Sequence, residues 1–275
     1  MKGIKIVVCV KQIPDPEAPL GAAKVDLERK RMDVSALRQV INPFDENALE
    51  AALRIKEAND GEVMVFSLGH KLDASVLRKA LAVGADKLVL LDDPQFEDLD
   101  SHSTAYALSS AIKKLGKYDL VLTGRQAGDW DSGQTGIVLG EMLGVASVNL
   151  ARKIAIEDRH VSVEKIVPGG YEQVRASLPA LVTVSNEVGD LRYPSMKMIL
   201  LSRRQPIETL NAQSLEMGSD KTAGMGIMYL MPPPDLSRVC QFIEGDSPEE
   251  KGQKLAIILR NEFGSPSTQG GLRNQ

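Results

Sequence analysis

Residues that usually carry catalysis or bind metals are scarce in this chain. Its 275 residues include only 3 His, 2 Cys and 1 Trp. Cys9 and Cys240 lie far apart, form no Cys-x-x-Cys pair and have no His at ligand spacing. We therefore expect two reduced thiols packed as small hydrophobic groups, with no disulfide and no metal held by the protein.

No charge of one sign dominates, and no long hydrophobic run is present. Lys plus Arg total 33 against 37 Asp plus Glu, a net charge of −4, which argues against nucleic acid or an anionic membrane as the main partner. No apolar stretch approaches the roughly 18 residues that a membrane span requires. The run at 6–10 is too short for a signal peptide, and no small-residue cleavage site follows it. We expect a cytoplasmic protein.

Residues 1 to about 145 alternate between β-branched apolar runs and amphipathic helical patterns. Strands that are apolar along their whole length are typical of parallel sheets covered on both faces. The alternation therefore predicts a doubly wound, mostly parallel α/β sheet of Rossmann-like type. The predicted strands are 4–10, 62–67, 87–91 and 119–123, and the predicted helices are 45–56, 73–83, 101–115 and 137–143.

The second half of the chain has a different pattern. Segments 149–156, 160–167, 171–177 and 180–185 are β-rich with turn sequences between them, so we expect antiparallel hairpins added to the sheet. This predicts an α/β domain over 1–190 and a partner-recognition loop and C-terminal arm over 191–275. Within the arm, Ser247 and Pro248 predict a helix start. Leu255, Ile258, Leu259 and Phe263 fall on one face of that helix, and the polar tail 264–275 is expected to be mobile.

The loop at 124–136, after the fourth predicted strand, is the strongest candidate for ligand binding. In an open parallel sheet, ligands bind beyond the carboxyl ends of the strands where strand order reverses. Its glycines allow close backbone approach, and free N–H groups near Ser132 to Thr135 suit a phosphate. Asp129 and Asp131 would repel that phosphate unless they point away, cap backbone N–H groups, or accept from sugar hydroxyls and a base amine. The alternative interpretation is simply a well-capped helix start.

Two further features belong to this candidate site. Trp130, inside the loop, either stacks on a ligand ring or packs under the loop, because an exposed indole is costly. In the turn at 41–45, Asn42 offers a bidentate amide, and Asp45 is expected to cap the following helix. Simple capping is the alternative for that turn as well.

Catalytic signatures are missing. The sequence has no Gly-x-Gly-x-x-Gly after a strand, no Gly-Lys-Ser/Thr phosphate loop and no Gly-x-Ser-x-Gly. His70, His102 and His160 are scattered, with no acid at a spacing that would make one of them a base. These absences suggest a protein that binds a nucleotide rather than one that turns over a substrate.

Several separate motifs, in order, resemble those of one known family. Residues 1 to about 210 resemble the beta subunit of electron transfer flavoprotein. The matching pieces are VVCVKQ at 7–12, NPFDENALE at 42–50, AVGAD at 82–86, GRQA at 124–127 with Asp131 and QTG at 134–136, GGYE at 169–172, LPALVT at 178–183 and Arg192-Tyr193.

The resemblance implies a heterodimer in which an alpha subunit carries most of an FAD site. Proteins of this kind pass single electrons from flavin dehydrogenases to a quinone reductase or another acceptor, and the beta subunit holds its own adenine nucleotide, usually AMP. Phe44 sits where relatives approach the FAD ring. The implied docking residues are Leu191, Arg192 and Tyr193, with Leu191 either an apolar anchor or ordinary packing. The implied cofactor-binding residues are Cys9, Asn42, Pro43, Phe44, Asp45, Leu68, Gln126, Ala127, Gly128, Asp129, Trp130, Asp131, Ser132, Gly133, Gln134, Thr135, Gly136 and Ile137.

The resemblance leaves open which nucleotide is held. Electron-bifurcating relatives keep a second FAD here, take electrons from NADH, and typically read Asp-Gly-Asp-Thr followed by Gln-Val-Gly. This chain has the AMP-type Gln134-Thr135-Gly136, while Trp130 follows neither pattern. AMP is therefore favoured, with a second FAD as the alternative. A stand-alone adenine-nucleotide-binding module or sensor is the remaining hypothesis.

Overall fold

The computed structural model describes residues 3–19, 24–28, 30–216, 224–231 and 240–263. It divides into two compact units, Met1–Met231 and Pro232–Gln275. The tail that the sequence predicts to be mobile, 264–275, lies outside the described residues.

A nine-stranded sheet forms the centre of the first unit, with strand order β11-β10-β9-β12-β8-β1-β6-β7-β13. The seven strands from β9 to β13 pair parallel, whereas β10 pairs antiparallel with β9 and with β11. The predicted α/β class with added hairpins is thus confirmed. The strands are β1 (Lys5–Val10), β6 (Glu62–Gly69), β7 (Lys87–Asp92), β8 (Leu120–Gly124), β9 (Ala146–Glu157), β10 (His160–Val167), β11 (Gly170–Ser177), β12 (Ala180–Val184) and β13 (Glu208–Leu210).

Strand β12 differs from the sequence-based expectation. It is not a hairpin strand but lies parallel between β8 and β9. All five of its residues are buried, which is typical of a central strand covered on both faces. Beyond residue 190, β13 joins the sheet beside β7, and Ala212 and Leu215 pack into the core of the first unit.

Helices cover both faces of the sheet and bury a separate apolar cluster on each. The cluster on one face includes Leu49, Leu53 and Leu81, and that on the other includes Leu108 and Leu139. The helices of this unit are α1 (Pro43–Asn59), α2 (Ala74–Leu77), α3 (Lys79–Val83), α4 (Ser101–Leu115), α5 (Thr135–Leu143) and α6 (Met196–Ser202).

The strand order places a topological switch point between β1 and β8. From β1 the chain builds outward through β6 and β7 and then returns to add β8 on the other side of β1. Ligands of doubly wound sheets bind in the crevice that opens outside the strand ends at such a point. The loop after β8 begins at this crevice.

The segment between β1 and α1 forms two small antiparallel sheets that the sequence analysis did not predict. One pairs β2 (Gln12–Pro14) with β5 (Gln39–Ile41), and the other pairs β3 (Lys24–Asp26) with β4 (Arg31–Asp33). The first holds the chain leaving β1 against the chain entering α1.

The second unit contains α7 (Pro248–Phe263), which confirms the predicted helix. The Ser247 hydroxyl accepts the Glu250 N–H at 3.2 Å, as expected of an N-cap. Leu255, Ile257 and Leu259 are exposed on this helix, and the side chain of Phe263 lies outside the described residues. Among the residues that the structure describes, no helix combines the length and apolar character needed to cross a membrane.

Candidate functional site

The first turn of α1 joins the ends of the two strands at the switch point. The Asp45 carboxylate accepts the N–H of Lys11 at 2.7 Å and the N–H of Gly124 at 2.9 Å. These donors directly follow β1 and end β8. Asp45 therefore does not cap its own helix, as the sequence suggested, but holds two loops together.

Burial shifts the pKa values of two side chains near the ends of β1 and β8, Asp45 and Cys9. Desolvation raises the pKa of Asp45 to about 7, although the N–H groups of Lys11 and Gly124 and the Lys11 charge oppose that rise. Burial, reinforced by the Asp45 charge, raises the pKa of the Cys9 thiol far above its usual range. The Cys9 thiol is therefore protonated at neutral pH and can contribute packing and backbone contacts, but not a thiolate.

The side chain of Asn42 fixes the loop that follows β8. Its amide nitrogen donates to the Gln126 carbonyl at 2.8 Å, and its amide oxygen accepts the Gly128 N–H at 3.1 Å. Both polar atoms of the Asn42 amide thus bind the loop of the protein itself. Asn42 makes no side-chain capping hydrogen bond at the start of α1, so the simple capping alternative is wrong for this residue.

Both loop carboxylates bind neighbouring side chains, but only one of them meets an opposite charge. Asp129 forms an ion pair with Lys11, with 2.6 Å between Oδ2 and Nζ. Asp131 accepts from the uncharged side-chain amide of Gln126 at 2.8 Å. The ion pair thus offsets the negative charge of Asp129 in a loop proposed to hold a phosphate. Lys11 was not among the cofactor-binding residues that the sequence predicted, although it directly follows β1.

The helix that follows this loop begins without a side-chain cap. Gln134 is the N-cap residue of α5 and makes no capping hydrogen bond. Within the described part of the chain, the N–H groups of Thr135, Gly136 and Ile137 have no hydrogen-bond acceptor. The alternative of a well-capped helix start is therefore wrong. The first turn of α5 offers three free donors at the positive end of a helix dipole.

Two glycines allow the close packing that positions this turn. A Cβ at Gly124 would lie 2.5 Å from the Asp45 carboxylate and 2.7 Å from the Phe44 carbonyl carbon. A Cβ at Gly136 would lie 2.5 Å from the Thr123 hydroxyl and 2.8 Å from a Thr183 methyl. The first glycine lets α1 approach the end of β8, and the second seats α5 on β8 and β12.

Trp130 projects outward from this loop. Its side chain is 64% exposed, so the alternative in which it packs under the loop is wrong. Cys9 and Leu68, near the ends of β1 and β6, both contribute to the apolar cluster on the α4 and α5 face of the sheet. Asp131, Ser132, Gly133 and Gln134 are exposed, and the Ser132 hydroxyl accepts from that of Ser101 at the start of α4.

A separate cavity brings Phe44 together with the predicted docking segment. It has a volume of about 520 Å³ and is lined in part by Phe44, Lys79, Arg125, Leu191 and Tyr193. The Arg125 guanidinium lies over the Phe44 ring, 4.6 Å from its centre. Of the predicted cofactor-binding residues, only Pro43 and Phe44 line this cavity, so the loop 126–137 forms a different part of the surface.

The predicted docking residues Leu191, Arg192 and Tyr193, together with the residues just before them, form the docking segment, which polar contacts hold against α1. Asn47 and Arg54 donate to the carbonyls of Gly189 and Val188, at 2.7 and 2.9 Å. Arg192 makes a bidentate contact with Glu50, at 3.0 and 3.1 Å, and also bonds Glu57. The Arg192 guanidinium is therefore held by two carboxylates of α1.

The apolar residues on either side of Arg192 differ in exposure. Leu191 is only 8% exposed and belongs to the core cluster of the α1 face, whereas Tyr193 is 98% exposed. Burial of Glu50 raises its pKa, but the hydrogen bonds from Arg192 and Arg54 outweigh burial and leave the pKa lowered. The Glu50 carboxylate therefore stays charged and keeps its hold on the segment at neutral pH.

Comparison with known proteins identifies the family. The family model described as the electron transfer flavoprotein domain matches residues 31–215. The chain belongs to the electron transfer flavoprotein family. Relatives described as beta subunits include one from Thermoanaerobacterium thermosaccharolyticum, 38% identical over 79% of this chain and 82% of its own length.

Differently named members of the electron transfer flavoprotein family are similar to this chain to nearly the same degree. The caffeyl-CoA reductase-Etf complex subunit CarD of Acetobacterium woodii is 38% identical over 79% of this chain and 82% of its own length. Protein FixA of Azorhizobium caulinodans is 36% identical over 76% of this chain and 75% of its own length. These matches confirm the resemblance to the electron transfer flavoprotein beta subunit that the sequence motifs indicated.

Proposed function

We propose that this chain forms a heterodimeric electron transfer flavoprotein with an FAD-carrying alpha subunit and holds an adenine nucleotide, AMP, at the switch point of its sheet. The pair passes single electrons from flavin dehydrogenases to a quinone reductase or another acceptor. In this role the beta subunit catalyses no reaction of its own. A cytoplasmic location also stays a prediction.

The uncapped first turn of α5 is the observation that carries the nucleotide assignment. Its three free N–H groups suit the phosphate of an adenylate, and the pairing of Asp129 with Lys11 removes a charge that would oppose it. The nucleotide-binding part lies within residues 1–190. Cys9, Asn42, Asp45 and Leu68 complete the site, through backbone groups and by fixing the loop 126–137.

The cavity beside Phe44 fits a contact with the alpha subunit's flavin. The Phe44 ring and the Arg125 guanidinium are among the groups that line a space which the beta subunit leaves open. FAD supplies the electron-accepting ring, and the protein's contribution is to bind it, orient it and shape its electrostatic surroundings. Phe44 would pack against the FAD, and Arg125 would place positive charge near it. The adjoining segment with Leu191, Arg192 and Tyr193 is proposed to dock on the dehydrogenase.

A second FAD in the beta site, with NADH-dependent bifurcation, is the second candidate function. The exposure of Asp131 to Gln134 favours it, because a ligand longer than an adenylate can extend past the loop. A stand-alone nucleotide-binding module is the third possibility, and the family membership argues against it.

The composition of the purified protein tests these candidates. We expect co-expression with the alpha subunit to give a yellow heterodimer that releases one FAD and one AMP per pair on acid treatment, measured by chromatography. Two FAD per pair would support bifurcation. A colourless chain that stays monomeric beside the alpha subunit would contradict the proposal.

Thr135→Glu tests the phosphate assignment without weakening the helix. A glutamate in the first turn favours the helix dipole by about 0.3–1 kcal/mol, yet its charge repels a bound phosphate. We expect less than a tenth of the wild-type AMP content together with an unchanged or slightly higher melting temperature. Thr135→Gln, of similar size but neutral, is the control and should retain more AMP. Full AMP content in Thr135→Glu would place the phosphate elsewhere.

A further inference from the structure

We propose that the indole of Trp130 stacks on the adenine base of the bound nucleotide and is a main determinant of the site's affinity for it. The inference rests on the proposed function, because it needs a nucleotide at the end of β8. It adds the residue that recognises the base, whereas the first turn of α5 recognises the phosphate.

Backbone hydrogen bonds set the position of Trp130. The Ala127 carbonyl accepts the N–H groups of Trp130 and Asp131, at 3.3 and 2.8 Å, which closes a tight turn. Asp131 takes a left-handed conformation with φ of 51°, and Asn42 holds the chain on the other side of the turn. The turn is therefore a defined platform rather than a loose loop.

The side chains on either side of Trp130 form hydrogen bonds, whereas the indole forms none with the residues that the structure describes. The Asp129 and Asp131 carboxylates bond Lys11 and Gln126, while the indole is 64% exposed. An exposed indole leaves a large apolar surface in water, a cost that burial against a planar ring would remove. The turn thus presents one aromatic face to an incoming ligand.

The surroundings of this face indicate an adenylate rather than a protein partner. Trp130 lies in the loop that leads directly into α5, whose first residues Thr135 and Gly136 carry free N–H groups, so an aromatic face and an anion site belong to one continuous segment. A nucleotide monophosphate has one planar base and one phosphate, and it can use both. With Asp129 paired to Lys11, the loop opposes that anion less.

Titration of nucleotide-depleted heterodimer tests the proposal with three variants and two probes. Wild type, Trp130→Ala and Trp130→Phe are titrated with AMP and with ribose 5-phosphate, which lacks the base. Because stacking on a base contributes about 1–3 kcal/mol, we expect Trp130→Ala to bind AMP about 5- to 150-fold more weakly. Trp130→Phe should recover most of the affinity. Ribose 5-phosphate should bind all three proteins alike.

A spectroscopic readout separates stacking from an indirect effect. Trp130 is the only tryptophan of this chain. Stacking predicts that AMP quenches a part of the heterodimer's tryptophan emission that Trp130→Phe lacks. AMP affinity within about twofold of wild type in Trp130→Ala, or failure of that variant to pair with the alpha subunit, would overturn the inference. Absence of adenine nucleotide from the wild-type heterodimer would instead overturn the proposed function.

Discussion

Replacing Asp45 with alanine is expected to lower the free energy of unfolding by about 2–6 kcal/mol and to release the adenine nucleotide proposed to bind beside it. The change leaves the N–H groups of Lys11 and Gly124 without their acceptor, and each buried unsatisfied group costs about 1–3 kcal/mol. The same loss separates the loops that follow β1 and β8. Urea unfolding measures the first effect, and acid-released AMP measures the second.

Two control variants show whether the hydrogen bonds are responsible. Asp45→Asn keeps one acceptor but turns an amide N–H₂ toward the second donor, so an intermediate loss is expected. Glu46→Gln changes the next carboxylate on α1, which pairs with Lys79, whereas Asp45 accepts the N–H groups of Lys11 and Gly124. It should leave stability and AMP content near wild type. Equal stability of Asp45→Ala and Glu46→Gln would contradict this role of Asp45.

The raised pKa of Asp45 also gives stability a defined pH dependence. Burial moves its pKa from the ordinary 3.8 to about 7 in the folded chain. Between those values the folded protein binds the proton and the unfolded chain does not, so this group's contribution to stability falls as pH rises toward 7 and is flat above it. We expect the free energy of unfolding of wild type to decrease from pH 5 to pH 7 relative to Asp45→Asn. If the free energy of unfolding depends on pH in the same way for both proteins, the raised pKa of Asp45 is contradicted.

The strands that border the proposed site could be predicted from the sequence, but their order and the hydrogen bonds of the loops could not. Apolar runs show where strands lie along the chain, whereas the switch point depends on the strand order that the structure gives. Asp45 shows the limit: an acid in the first turn of a helix is typical of capping, yet its partners lie 34 and 79 residues away in the chain. Lys11 was missed for the same reason, since Asp129 is 118 residues distant.

The fold shows a similar division between local and long-range information. Strands β1, β6, β7 and β8 were predicted because each is an apolar run of the length that a buried strand needs. The apolar run of β12 was also found, but its parallel neighbours were not, because the turn sequences before it suggested another hairpin. The small sheets of β2 to β5 escaped prediction because their three-residue strands are too short to show a period.

Truncating Leu191 or Tyr193, the two residues on either side of Arg192, should have unequal effects on stability. Leu191→Ala removes a side chain that is 8% exposed and is expected to lower the free energy of unfolding by about 2–4 kcal/mol. Tyr193→Ala removes one that is 98% exposed and should change stability by less than about 0.5 kcal/mol. The sequence pointed to Leu191 as an anchor or as ordinary packing, and its burial favours packing.

The docking function should therefore follow Tyr193. If this segment meets the dehydrogenase, Tyr193→Ala should slow electron acceptance by about tenfold or more, as truncation of an interface tyrosine can, while FAD content stays at wild type. Tyr193→Phe keeps the ring and should stay near wild type. Stopped-flow reduction of the heterodimer by a flavin dehydrogenase measures both. The opposite result would contradict this assignment. If Leu191→Ala is stable but accepts electrons slowly, and Tyr193→Ala accepts them at the wild-type rate, Leu191 is the docking residue.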